Sequence, residues 1–144
     1  MFNTIAQATW VGSPDSPGTA VIYLLSQPYS CKVPDWAPGG GWDGRVPSGA
    51  QIIELKTAGN MPATFSVTSV GAAGAQPPPA GMAYVHWSLH NGATPVEVPA
   101  VGTTVTIDTV NPKQNITGTF SLSFGGHMVS GSYNAAYCPG AGEP

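Results

Sequence analysis

The chain predicts an all-β fold: one antiparallel β-sandwich or flattened barrel of about 8–9 strands spanning residues 1–144 as a single domain. Three observations carry that expectation. Short segments in which apolar and polar residues alternate recur at spacings near ten residues. Clusters of Gly, Pro and Asn punctuate them. No segment of useful length repeats its apolar residues at the helical period.

The expected strands are Thr4–Val11, Thr19–Ser26, Ala50–Thr57, Ala63–Val70, Met82–His90, the short Val96–Val98, Thr103–Val110, Asn115–Phe124 and His127–Cys138. The breakers between them include Ser13-Pro-Asp-Ser-Pro-Gly18, Gly59-Asn-Met-Pro62, Asn91-Gly92 and Asn111-Pro112. Pro95 and Pro99 bracket the short strand and suit a sheet edge guarded against further pairing. Two loops exceed ordinary connection lengths, 27–49 and 71–81. The second is Ala, Gly and Pro with one Gln, and reads as a spacer.

The last two strands fix a register. Gly125-Gly126 is a favoured two-residue hairpin loop because Gly accepts positive φ. With that loop, Phe124 meets His127, Leu122 meets Val129, Phe120 meets Gly131, Gly118 meets Tyr133 and Ile116 meets Ala135. Each inner glycine then faces an aromatic ring that can lie over bare backbone. The other face is almost wholly Ser, Thr and Asn and is expected in solvent. A one-residue slip would exchange the two faces.

Composition narrows function by exclusion. Charged residues are 8% of the chain and the net charge is −3, against about 25% charged in ordinary soluble domains. Lys32, Arg45, Lys56 and Lys113 are scattered, so no electrostatic footprint for nucleic acid exists. No apolar run is long enough for a transmembrane segment. The start, Met1-Phe-Asn-Thr-Ile, lacks the basic and apolar regions of a signal peptide. The expectation is an extracellular, periplasmic or cell-surface protein whose signal has been removed, judged from its low charge and cysteine pair. Cys31 and Cys138 predict a structural disulfide, with two separate buried thiols as the alternative. Such a link would stabilise by about 4–5 kcal/mol in the chain-entropy account. Strand parity puts Cys138 on the solvent side, unless a bulge at Ala135-Ala136 shifts it.

The candidate ligand site is the tethered loop holding Asp35, Trp36, Trp42, Asp43 and Arg45. Two indoles and two carboxylates suit a sugar-stacking platform, or part of a calcium site. The competing reading folds both rings onto the barrel end as core. Gly39-Gly40-Gly41 is no phosphate loop, since no Lys-Ser/Thr and helix follow. His86 and His90 share a strand face with Tyr84 and Ser88, about 13 Å apart and too far to chelate one ion. Val85, Trp87 and Leu89 form the opposite, core stripe. No metal site and no cofactor are expected. The seven acidic residues offer few carboxylate pairs; Glu54 and Asp108 sit on expected strands and could face across a cleft as a glycosidase requires, and no Gly-x-Ser-x-Gly elbow occurs. Asn115-Ile116-Thr117 matches the N-glycosylation sequon.

The run Ile116-Thr-Gly-Thr-Phe-Ser-Leu-Ser-Phe124, followed by Val129-Ser-Gly-Ser-Tyr-Asn-Ala-Ala-Tyr-Cys138, resembles the ending of a diffuse group of secreted bacterial proteins and lipoproteins of unknown function, abundant in myxobacteria. Their common close is G-x-F-x-L-x-F … G-x-F-x-A-x-x-C. The resemblance covers about the last twenty-five residues. It implies export, a cell-envelope setting and an all-β domain, and brings no catalytic residues. No lipobox cysteine stands near the start.

The expected function is a non-catalytic binding or structural module with a glycan or an envelope or matrix protein as partner. The alternatives are a hydrolase acting near the 35–45 loop, and a self-assembling surface or fibre subunit. Oligomerisation is open.

Overall fold

The computed structural model describes residues 7–12, 19–26, 51–68, 78–89, 96–99 and 103–137. They form ten strand segments and no helix. The strands are β1 (Gln7–Gly12), β2 (Ala20–Leu25), β3 (Gln51–Thr57), β4 (Ala63–Thr68), β5 (Met82–Leu89), β6 (Val96–Pro99), β7 (Thr104–Ile107), β8 (Thr109–Asn111), β9 (Asn115–Phe124) and β10 (His127–Tyr137). Alternation in sequence placed nearly every one.

All belong to one curled sheet in the order β10-β1-β2-β3-β5-β4-β7-β9-β8, with β6 on β5 and a further pairing of β10 with β9. The expected antiparallel-only arrangement is corrected here. β4 runs parallel to β5, and β1 runs parallel to β10 at Thr9–Ala136 and Trp10–Tyr137. β4 and β5 are consecutive in the chain, so a parallel pairing needs a crossover of about a dozen residues or more. The connection 69–81, which contains the 71–81 stretch read as a spacer, has that length. Alternation specifies which face is buried and leaves strand direction open.

The core is lined from one face of every ladder: Ala20, Ile22 and Leu24 of β2, Ile53 and Leu55 of β3, Phe65 and Val67 of β4, Ala83 and Val85 of β5, Val105 and Ile107 of β7. Ile116, Phe120, Leu122 and Phe124 of β9 complete it with Tyr133 and Ala135 of β10. β2 departs from strict alternation. Val21 and Leu25, on its opposite face, are buried as well. Its sequence, Ala-Val-Ile-Tyr-Leu-Leu, is the continuous apolar run of a strand covered on both faces.

The closing hairpin has the register its sequence dictates, from His127–Phe124 to Ala135–Ile116. Gly125 and Gly126 have φ of 59° and 87°, the pair of positive angles that a type I′ turn requires. Phe120 lies over Gly131, where a Cβ would meet its ring at 3.2 Å. Alternation holds to the end of β10: Ala135 is buried and Ala136 exposed, with no bulge between them. Cys138 and Cys31, and with them the predicted disulfide, lie outside the described residues.

Gly118 is the tightest point. β7 and β8 run in line along β9, but the pairing shifts by one residue between Val105–Phe120 and Thr109–Thr117. The extra residue is taken up around Asp108, whose N–H still donates to the Thr117 carbonyl at 2.8 Å. That is a β-bulge. The Tyr133 ring crosses Gly118, and its hydroxyl donates to the Thr106 carbonyl at 2.5 Å. A side chain at 118 would run into that carbonyl and that ring.

Gly118→Ala is therefore expected to cost about 3 kcal/mol or more, at the large end for single changes, read as a fall in the urea midpoint. The Tyr133 hydroxyl is pushed well above its ordinary pKa by burial, and further by the Asp108 charge. An unfolded tyrosine ionises near pH ~10. Above that pH the unfolded chain has shed a proton that the folded chain keeps, so stability present at lower pH is lost as pH rises. Tyr133→Phe is expected to cost about 1–2 kcal/mol near neutrality. It is also expected to flatten the alkaline fall, as denaturant midpoints followed from neutral to alkaline pH would report. Tyr23, raised by burial and then by Glu54, contributes to the slope that remains.

Candidate functional site

Strand parity that buries one face of the sheet turns a second set of side chains outward, and on β4, β7, β9 and β10 that set is almost wholly hydroxylic. Thr64 pairs with Thr106, Thr106 reaches Thr119, and Thr119 pairs with Ser132. Two residues along, Ser66 pairs with Thr104, Thr104 with Ser121, and Ser121 with Ser130. Two rows of Ser and Thr thus cross four strands, exposed or half-buried throughout. The strand repeat sets the rows about 6.7 Å apart, and the strands that a row crosses lie about 4.8 Å from one another.

Beyond the bulge the pattern continues with Thr109, Thr117 and Asn134, then Asn111 and Asn115. These groups hold one another in place. Thr106 Oγ1 lies 2.8 Å from Thr119 Oγ1 and accepts the Thr119 N–H at 2.9 Å. Thr109 Oγ1 and Thr117 Oγ1 are 2.5 Å apart. Asn111 Nδ2 donates to Asn115 Oδ1 at 2.8 Å, and Asn115 Nδ2 to Asn134 Oδ1 at 2.9 Å. The nitrogen that a glycan would occupy in the Asn115 sequon is thus a donor within the ladder. No charged side chain stands in either Ser/Thr row; Asp108 and Lys113 flank them at the bulge and the β8–β9 turn.

Chemically the face is neutral, and each hydroxyl both donates and accepts. It can exchange hydrogen bonds with ligand hydroxyls, and the two rows themselves hold no carboxylate or imidazole. Curvature sets a further limit. Adjacent strands rotate by roughly 20–25°, so four strands do not present a flat lattice.

Asp35, Trp36, Trp42, Asp43 and Arg45 lie outside the described residues. The root of their loop is described. Ser26 N–H donates to the Gln51 carbonyl at 2.9 Å, and Gln51 N–H donates to Ser26 Oγ at 2.8 Å. Trp87 Nε1 donates to Gln51 Oε1 at 3.1 Å. The segment therefore leaves and re-enters the sheet at one clamped point beside an indole. Glu54 and Asp108 are not brought together: β5 and β4 separate β3 from β7 in the sheet, and Asp108 is exposed. Glu54 stands opposite Tyr23 and His86 instead. His127 is exposed at the hairpin tip. Among the described residues no group of three or more His, Cys, Asp or Glu is placed to hold a metal, and no helix is long and apolar enough to cross a membrane.

The chain matches no protein-family model, no curated protein and no solved structure.

Sequence reasoning found the polar side of the closing hairpin but missed its continuation through β7 and β4. The signal was present in the alternate hydroxyls of Ala63-Thr-Phe-Ser-Val67 and Thr104-Val-Thr-Ile107. Thr106→Val is expected to cost about 1 kcal/mol, since it strips Thr119 of two partners at an exposed site where water replaces them in part. A denaturant midpoint that did not move would show that the ladder contributes nothing to stability.

Proposed function

We propose that this protein is a non-catalytic binding module of the cell surface or extracellular space, and that its ligand is a neutral glycan chain. The observation that carries this reading is the pair of Ser/Thr rows crossing β4, β7, β9 and β10. Sugar hydroxyls and protein hydroxyls are alike in donating and accepting, and a neutral face neither attracts nor repels an uncharged polymer. A flexible chain follows a twisted sheet, whereas a flat crystalline surface would meet only one or two hydroxyls in each row. Trp36 and Trp42, in the sequence between the paired Ser26 and Gln51, are the indoles on which we would have a sugar ring stack. The scarcity of charge and the Cys31/Cys138 pair support an exported setting.

For the fold, we favour a closed flattened barrel over a two-sheet sandwich. The support is that β1 pairs β2 on one side and β10 on the other, while β10 also pairs β9.

Affinity electrophoresis of the full chain through gels containing a neutral polysaccharide, such as a β-glucan or dextran, tests the ligand. Retardation is expected, and Thr119→Asp with Ser121→Asp is expected to abolish it while far-UV circular dichroism shows the sheet retained. Trp36→Ala or Trp42→Ala is expected to weaken it. Retardation by no neutral polysaccharide would reject the reading, and release of reducing ends from the gel polymer would replace it with a hydrolase.

A further inference from the structure

Three asparagines on the outer face form a hydrogen-bonded relay that runs in one direction. Asn111 Nδ2 donates to Asn115 Oδ1 at 2.8 Å, and Asn115 Nδ2 donates to Asn134 Oδ1 at 2.9 Å. A carboxamide accepts on its oxygen and donates on its nitrogen, so each bond fixes which way the next amide is turned. With its oxygen engaged by Asn115, the exposed Asn134 ends the relay on its nitrogen, an N–H donor at the surface. Hydrogen bonds in a chain polarise one another, which strengthens that last donor.

Beside the donor stand hydroxyls that can accept. Thr109 pairs with Thr117, and Thr117 with Asn134, in one row across β8, β9 and β10. Thr109 Oγ1 and Thr117 Oγ1 share a hydrogen bond at 2.5 Å, and lone pairs remain on both oxygens. Neighbouring strands lie about 4.8 Å apart, so the row sets the backbones of Thr109 and Asn134 about 9.6 Å apart. Ala136, further along the same face of β10, is exposed and small. Asp108 and Lys113 flank this corner with opposite charges, so it exerts no net pull on an anion.

We propose that this corner recognises the acetamido group of an N-acetylhexosamine. Asn134 Nδ2 donates to the acetyl carbonyl, and the Thr109–Thr117 hydroxyls accept the acetamido N–H. The N–H and C=O of a secondary amide point in opposite directions. They need a donor and an acceptor set apart across the sheet, as the row supplies. A carbonyl is also a stronger acceptor than the hydroxyl and ether oxygens of an unsubstituted sugar, which matches the polarised donor. Ala136 leaves space for the acetyl methyl. The inference rests on the glycan reading above and narrows the ligand to a polymer of N-acetylated hexosamines, the chemistry that chitin and peptidoglycan strands share.

Affinity electrophoresis of the full chain through glycol chitin and through hydroxyethyl cellulose tests this. The two polymers share their linkage and solubilising ether and differ in the acetamido group. An apparent dissociation constant about tenfold lower for glycol chitin is expected. Asn134→Asp keeps the oxygen that Asn115 bonds and loses the amide donor. It is expected to erase the preference while far-UV circular dichroism stays that of the parent. In the unaltered protein, the Asn134 side-chain amide resonance is expected to shift on titration with chitin tetraose and to stay in place with cellotetraose. Equal retardation by both polymers, a preference that survives Asn134→Asp, or an unmoved Asn134 resonance overturns the proposal and leaves the glycan reading standing. Retardation by no neutral polysaccharide removes both. Co-sedimentation with insoluble chitin and with purified peptidoglycan separates the two sources: binding to either supports the proposal, and binding to neither overturns it.

Discussion

The fold turns on one contact: the Tyr133 ring lying on Gly118 with its hydroxyl donating to the Thr106 carbonyl. Three strands meet there. β10 supplies the ring, β9 the bare backbone beneath it, and β7 the carbonyl that the neighbouring bulge leaves to be satisfied. A buried carbonyl without a donor costs about 1–3 kcal/mol, so bulge, glycine and tyrosine form a set in which each member needs the other two. The bulge also changes which residues of the β7–β8 line point outward. Were alternation to run unbroken through Asp108, Val110 would face solvent and Thr109 the core.

From that arrangement the two faces of the molecule follow. Inside, aliphatic and aromatic side chains of β2, β3, β4, β5, β7, β9 and β10 pack into one cluster. Outside, the complementary parity collects hydroxyl and amide groups that satisfy one another across strands. Across β4, β7, β9 and β10 that outer face is polar almost without charge. The consequence is a surface whose interactions are short-range and little changed by salt, since ionic screening acts on charges.

Much of this was legible in the residues. Alternation located the strands because burial of one face is a two-residue rhythm, and the glycine–aromatic pairs fixed the last hairpin because a slip would have put Tyr133 and Phe120 in water. What was not legible was adjacency. Nothing in Ala63–Thr68 or Met82–Leu89 states that they run parallel, or that β7 lies between β4 and β9. Those choices are settled by crossover length and by how a twisted sheet closes, both properties of the whole chain. The double burial of β2 was visible only as an unbroken apolar run. The candidate site suffered from the same gap: its rows join strands distant in sequence, so each hydroxyl looked like ordinary solvated surface until the register was known.

The seam between β1 and β10 has a consequence for how the molecule comes into being. Its partners are the first and last strands described, and among the described residues they pair at Thr9–Ala136 and Trp10–Tyr137. A contact between such distant segments carries the largest loop-closure entropy in the chain and forms late. During vectorial synthesis the sheet from β2 to β9 can assemble while β1 waits for a neighbour not yet made. The order of the strands thus acts as a completeness check: a chain cut short before β10 has neither the ring that caps Gly118 nor the edge that receives β1.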